Sequence, residues 1–271
     1  MSITAILPVF NEEKRLEATL KTLMWCDEII IVDKNSTDNT RNIANKYSAK
    51  VFILDNTAFN TDDIDIFIEN CTSEWMLTFT ASDIIHPKLA RSIKEITDNI
   101  AFEFDVIHIP YHRIVLGIDS KRSPWHSELH PAVFRKSVFQ LNRNGVHDAV
   151  KFTSKKHFKM GKSEKYCVYH LTHENLDSMM ERHTRYWKAE ALSPNTNLKQ
   201  SFKEVLSAIK LVLLKRKTFL MGWDGIMLSF AFVTYYMMSF VYKWENQRSK
   251  STSNYDILKK EIQNSWEREI F

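Results

Sequence analysis

One carboxylate stands where an open α/β sheet would use it. The stretch Asp27 to Thr40, DEIIIVDKNSTDNT, begins with an apolar β-branched run that stops at Asp33, the pattern of a short strand buried on both faces. Asn35, Ser36 and Thr37 follow, each a good N-cap. Asp38 then suits a first helical turn, and Ile43, Ala44 and Tyr47 recur at helical spacing. Asp33 therefore lies at the carboxyl end of a strand, the edge where strand ends and helix N-termini converge on ligands. From spacing alone it serves equally well to meet a ligand or to cap its loop. The histidines offer less. His126 and His130 in HSELH are four apart, but the acid of an H-E-x-x-H metalloprotease helix is displaced to Glu128. His147, His170 and His173 read as hydrogen-bonded structural or substrate-contacting residues rather than metal ligands.

The elements that must position Asp33 are legible on either side of it. Ile3 to Leu7 is an apolar strand ended by Pro8, and Asn11 and Glu12 open a helix with Leu16, Leu20, Leu23 and Met24 on one face. After strand Glu28–Val32 and its helix come strand Val51–Leu54, a helix near Asp62–Asn70, strand Trp75–Phe79 and a helix opened by Pro87. Such alternation predicts a Rossmann-like α/β fold, a mostly parallel sheet with helices on both faces. At 271 residues, 44% of them hydrophobic, the chain can fill the core of one large domain carrying a helical appendage.

Composition removes several alternatives. All five glycines lie at Gly117 or later, so neither a dinucleotide fingerprint nor a phosphate-cradling P-loop fits the first four β-α units. The net charge of +4 suits an anionic substrate or an anionic membrane surface. No dense basic patch interleaved with aromatics exists, only Lys215, Arg216 and Lys217, so nucleic acid is not an expected partner. Cys26, Cys71 and Cys167 are odd in number and lack C-x-x-C spacing, which fits a reducing cytosol and neither a disulfide framework nor a zinc site. The N-terminus reads as a strand and not as a signal peptide.

ILPVFNEEKRLEATL followed by EIIIVDKNSTDNT resembles the start of family 2 glycosyltransferases, where the first strand ends in P-x-x-N-E and the second in V-D-x-x-S-T-D. The resemblance implies a GT-A fold and a nucleotide-sugar donor, with Pro8, Asn11, Glu12, Asp33, Ser36 and Ser82 as its binding residues. Lys34 stands where many members have a second Asp. In WMLTFTASDIIHP, where the family has a D-x-D motif such as L-D-A-D, Thr80 and Ser82 replace both acids. Asp83 is then the carboxylate left for the implied divalent cation, Mg²⁺ or Mn²⁺; the alternative is that Ser82 and Asp83 cap the following helix. The family's upstream R-N is also missing, with Ile64 and Asp65 in its place. Arg91, Lys121 and Arg122 are the remaining candidates for donor phosphates.

Further along, HPAVFRKSVFQ resembles the family strand beside the acceptor. GVHDAV resembles the V-H-E segment of bacterial lipopolysaccharide-core glucosyltransferases, which makes Asp148 the expected general base and Glu128 the runner-up. YHLTHENLDSMMERHTRYWKAEAL and NLKQSFKEVLSAIKLVLLKRK read as helices similar to that subgroup, and TFLMGWDGIMLSF resembles its closing F-x-x-G-x-x-D-G. The expected boundaries are residues 1–165 for the catalytic domain and 166–271 for a helical C-terminal region. The stretch Gly225 to Tyr242 carries no charge, yet Ser229, Thr234, Tyr235, Tyr236 and Ser239 make it polar for a bilayer span. A helix on the core, or lying in the membrane interface with Lys210 and Lys215 to Lys217 toward anionic headgroups, is the expectation. Together these imply an inverting glycosyltransferase in the cytoplasm, peripheral on the inner face of the plasma membrane. Its expected donor is a UDP-sugar and its acceptor a cell-envelope glycan or lipid-linked glycan. A degenerate, non-catalytic member that binds a glycan or protein is the alternative.

Overall fold

The computed structural model describes residues 1–54, 68–141, 150–193, 196–248 and 251–270. It divides into two compact units, Met1–Met179 and Met180–Phe271.

The first unit is built on a sheet ordered β3-β2-β1-β4-β7-β6-β11-β5. Strands β1 (Ile3–Val9), β2 (Glu28–Asp33), β3 (Lys50–Ile53) and β4 (Trp75–Thr78) run parallel to their neighbours within that group. β7 (Leu129–Arg135) is antiparallel to both β4 and β6 (Val106–Val115). β11 (Val168–Thr172) is parallel to β6 and antiparallel to the short β5 (Asp83–Ile85). The register sets Val9 beside Asp33, so the first two strands end together.

The unbroken apolar runs of β1 and β2 have a simple cause. Ile3, Ala5, Leu7, Ile29 and Ile31 pack into one cluster while Ile6, Ile30 and Val32 pack into another, so successive side chains are buried on opposite faces. Helix α1 (Leu16–Leu23) adds Leu16, Leu20 and Leu23 to the first cluster, and α3 (Pro87–Asp98) adds Leu89 and Ile93. The second cluster takes Phe134, Val138 and, from the hairpin of β8 (Phe139–Leu141) and β9 (Val150–Phe152), Phe139 and Phe152.

Several boundaries differ from the sequence reading. Met24 is exposed, because α1 turns Leu23 and not its neighbour into the core. The second helix, α2, starts at Thr40 and not after Ser36, since the Ser36 hydroxyl is used by Asp33 and Asn11. α3 is capped by His86, whose ring accepts from Lys88 N at 3.1 Å, which removes Ser82 and Asp83 as its caps. HSELH runs into β7, so His126 and His130 do not share a helix face. Tyr169 to Thr172 pair with β6 as strand, and the helix expected from there begins at Leu176. The helix expected near Asp62–Asn70 falls largely outside the described residues.

In the second unit, the helix Trp223–Arg248 is long and apolar enough to cross a membrane by length and composition. Its polar residues have internal uses. Tyr235 Oη donates to Glu190 at 2.7 Å, Ser239 donates to the same buried carboxylate, and Lys243 pairs with it at 3.2 Å. Gly225 is required by close approach: a Cβ there would stand 1.8 Å from the Thr218 carbonyl oxygen. The segment Ser251–Ile270 is a helix whose described side chains are all exposed.

Candidate active site

The ends of β1 and β2 are laced together residue by residue. Asn11 N donates to Ser36 Oγ at 2.9 Å, and Asn11 Oδ1 accepts from Thr37 N at 2.8 Å. Glu12 N donates to Thr40 Oγ1 at 2.8 Å, and Glu13 exchanges bonds with Asp38 and Asn39 N at 3.0 Å each. Asn11 and Asn35 both adopt left-handed backbone, φ 53° and 59°, which asparagine tolerates better than other side-chain-bearing residues. Beneath this lacing Asp33 is fully buried. It accepts from Ser36 N at 3.0 Å, from the Ser36 hydroxyl and from Arg41 Nε, an ion pair in which Arg41 stays one-third exposed. Arg41 also donates to Asn35 Oδ1 and Ser36 O, each at 2.9 Å. Sequence reasoning missed Arg41, although an arginine one turn into the helix after a strand-end Asp is the signal that could have found it.

The end of β4 is built otherwise. Thr80 and Ser82 occupy the expected acidic positions, and Asp83 opens β5, 0% exposed. Its oxygens accept from Thr80 N at 2.7 Å, Thr80 Oγ1 at 2.9 Å, His170 Nδ1 at 2.7 Å and the Tyr111 hydroxyl. Burial alone would raise its pKa; the His170, Tyr111 and Thr80 donors outweigh that and hold the carboxyl below its ordinary value. Tyr111 is pushed well above the usual phenol value by its own burial and by Asp83. His130 lies against the Tyr111 ring with centroids 5.0 Å apart, and burial, with Arg113 nearby, lowers it to about 4. A carboxylate so enclosed does not fit the role of cation ligand. Among the described residues no group of three or more His, Cys, Asp or Glu side chains is placed to hold a metal ion.

The basic candidates for phosphates sort clearly. Lys121 pairs with Glu164, and neither Lys121, Arg122 nor Arg91 lines the cavity of about 360 Å³ beside Ser82. Lys14 and Arg15 do line it, and Arg15 Nη1 donates to Ser82 Oγ at 2.7 Å. Of the expected bases, Asp148 lies outside the described residues. Glu128 is exposed and paired with Lys162, which lowers its pKa.

The fold is that of GT-A proteins. A structure of S. aureus TarS 1-349 with UDP-GlcNAc is 15% identical and aligns over 92% of each chain with a TM-score of 0.50. The TarS complex with UDP gives 14%, 92% of each chain and 0.50. The glucosyl-3-phosphoglycerate synthase of Mycobacterium tuberculosis, with Mn²⁺, UDP-glucose and phosphoglyceric acid, is 15% identical over 51% of this chain and 57% of that one, at a TM-score of 0.37 too low to bear on the site. The family model Glycosyl transferase family 2 matches residues 4–161, from β1 past the end of β9 and through both strand-end loops, and the chain belongs to that family of glycosyltransferases.

Proposed function

We propose that the chain moves a sugar from a nucleotide donor, a UDP-sugar first of all, to a hydroxyl of a cell-envelope glycan or lipid-linked glycan, with inversion at the anomeric carbon. The observation that carries the donor assignment is the lacing of Asn11, Glu12 and Ser36 over Asp33, which gives the paired strand ends a fixed, polar rim. The similar TarS structures hold UDP and UDP-GlcNAc, which makes uridine the first base to try. In the reaction the acceptor oxygen bonds to the anomeric carbon, the electron pair of the broken C–O bond leaves with the nucleotide, and a carboxylate takes the acceptor proton. Asp148 is the proposed base, since Lys162 pairs with the exposed Glu128 and lowers its pKa, which weakens it as a proton acceptor.

Thermal shift against UDP-, GDP- and CMP-sugars, followed by release of free nucleotide over hours, tests this reading. Stabilisation and slow hydrolysis with one donor are the expected results, as a ligand that binds the native state stabilises it by RT ln(1 + [L]/Kd). Binding without any turnover would favour the non-catalytic alternative, and no binding at all would sink the donor assignment.

The proposed place of action is the cytoplasmic face of the membrane, reached peripherally. Exposed Leu213, Leu214, Phe219, Leu220 and Trp223 stand in sequence on either side of Lys215, Arg216 and Lys217, the mixture an anionic interface attracts. Changing the three basic residues together to Gln should weaken binding to anionic liposomes at low salt, each being worth about 1 kcal/mol. Equal partitioning of mutant and parent would remove the electrostatic part.

A further inference from the structure

At the loop that follows β4 a cationic side chain from another segment stands where the family resemblance calls for carboxylates around a metal ion. Thr80 and Ser82 are hydroxyls, and Asp83 is sealed beneath them with its oxygens taken by Tyr111, His170 and Thr80. Onto Ser82 comes Arg15, reaching across from the start of α1. Its other terminal nitrogen pairs with Glu12, a residue of the first strand-end loop, so one guanidinium spans both loops. Lys14 beside it is exposed and carries no ion pair among the described residues. Two adjacent cations immediately ahead of a helix are not favoured by its dipole, which presents its positive end there and is answered by Glu12, Glu13 and Glu17. Nothing in the packing of α1 asks for the two cations, since its buried face is made by Leu16, Thr19, Leu20 and Leu23. Glu12 answers Arg15 in part and Glu174 also lines the adjoining cavity; a diphosphate there would meet Lys14, the remaining N–H donors of Arg15 and the helix end.

We propose that Arg15, assisted by Lys14, supplies the positive charge that holds the donor's diphosphate, so that donor binding in this chain needs no divalent cation. The proposal rests on the nucleotide-sugar reading above. As the bond from the anomeric carbon to the diphosphate breaks, its electron pair passes to the leaving phosphate oxygen. A guanidinium meets two such oxygens with parallel N–H donors, without the ordered carboxylates that a metal requires. Ser82 and Glu12 then act as positioning residues that hold the arginine between the loops.

Calorimetry of the full chain with UDP and with GDP, in EDTA and in Mn²⁺, tests it. The expected result is one nucleotide bound with the same affinity in both buffers. Arg15→Gln should weaken that binding in EDTA about tenfold or more, the effect of losing a charge-assisted hydrogen bond, and Arg15→Lys should recover part of it. Lys14→Gln removes only an exposed charge, so it will fold as the parent does; it should weaken binding less than Arg15→Gln, and added salt should narrow its difference from the parent. Binding that appears only with Mn²⁺, or parental affinity in EDTA for both Arg15→Gln and Lys14→Gln, would overturn the proposal while leaving the donor reading intact. Failure of both nucleotides in both buffers would instead bring down the donor reading, and this proposal with it.

Discussion

β2 and β4 flank β1 on opposite sides, and each leads into a fully buried aspartate at its carboxyl end, Asp33 and Asp83. Both carboxylates are wrapped in donors. The donors come from different distances along the chain. Asp33 is satisfied by Ser36 and Arg41, three and eight residues away, and organises one loop. Asp83 takes Thr80 from its own loop, but also Tyr111 from β6 and His170 from β11, so it fastens the β4 end to the far side of the sheet. The first end, where the proposed donor sits, has a local scaffold beneath it. At the second the acid has become part of the scaffold, and the charged side chains that line the neighbouring cavity are Lys14, Arg15 and Glu174.

The largest effect should come from Asp83→Ala. It leaves the Tyr111 hydroxyl, the His170 ring and Thr80 N without their acceptor inside the unit, and breaking a buried pair of this kind typically costs about 3–5 kcal/mol. Denaturant unfolding measures it. A loss below about 1 kcal/mol, the range of a surface change, would mean that Asp83 does not join the two sides. Asp83→Asn sharpens the same point through pH. Because the carboxyl titrates below its ordinary value in the fold, folding favours its charged form. The advantage of the parent over Asp83→Asn should therefore be full above the ordinary carboxyl range and be lost as pH falls through the lower value reached in the fold. A gap that widens on acidification would contradict this account of the cluster.

Asp33→Ala should cost less stability, about 1–3 kcal/mol, because Arg41 is partly exposed and can turn to water, so that only the two donors of Ser36, its N–H and its hydroxyl, are left buried. Its larger effect should be on nucleotide affinity, through loss of the loop that Asn11 and Ser36 share. If calorimetry finds affinity unchanged, Asp33 has no part in the donor site. If unfolding finds a cost equal to that of Asp83→Ala, the difference between the two ends is gone.

The same difference explains what could be read from the sequence. The apolar run from Ile3, the run that stops at Asp33, Pro87 at a helix start and the lack of glycine before residue 117 are local signals, so the parallel half of the sheet was legible, although Pro8 does not end the first strand, which pairs on to Val9. The residues laced at the first two strand ends were legible for the same reason, since their partners lie in two contiguous motifs. Asp83 was not. Its partners Tyr111 and His170 become neighbours only after β6 and β11 pair, and nothing near DII marks it as a three-residue strand rather than a loop. Arg15 was overlooked because its reach to Ser82 crosses 67 residues. The C-terminal helix Ser251–Ile270 gave no usable pattern, and its exposed side chains show why: no face of it is selected by burial.

The smallest effects should distinguish backbone from side chain at the laced end. Asn11 sits at φ 53° and its side-chain oxygen accepts from Thr37 N, so the residue has two separable duties. Asn11→Gly keeps the left-handed backbone at no steric cost and removes an exposed hydrogen bond, for a loss of a few tenths of a kcal/mol. Asn11→Ala loses the bond and, unlike Asn11→Gly, keeps a Cβ in that region, so it should cost about 1–2 kcal/mol more than the glycine variant. The residues that open the β4 loop, Phe79 to Ser82, all have negative φ, so Thr80→Gly and Thr80→Ala should differ little there. If Asn11 touches the donor, Asn11→Gly will weaken UDP binding out of proportion to its small stability loss, while Asn35→Gly, at a residue that shares the conformation but whose side-chain oxygen accepts from Arg41, will not. Parallel melting and calorimetry on these variants decide it. Equal losses for Asn11→Gly and Asn11→Ala would show that the hydrogen bond, and not the turn it closes, is what the β1 end requires.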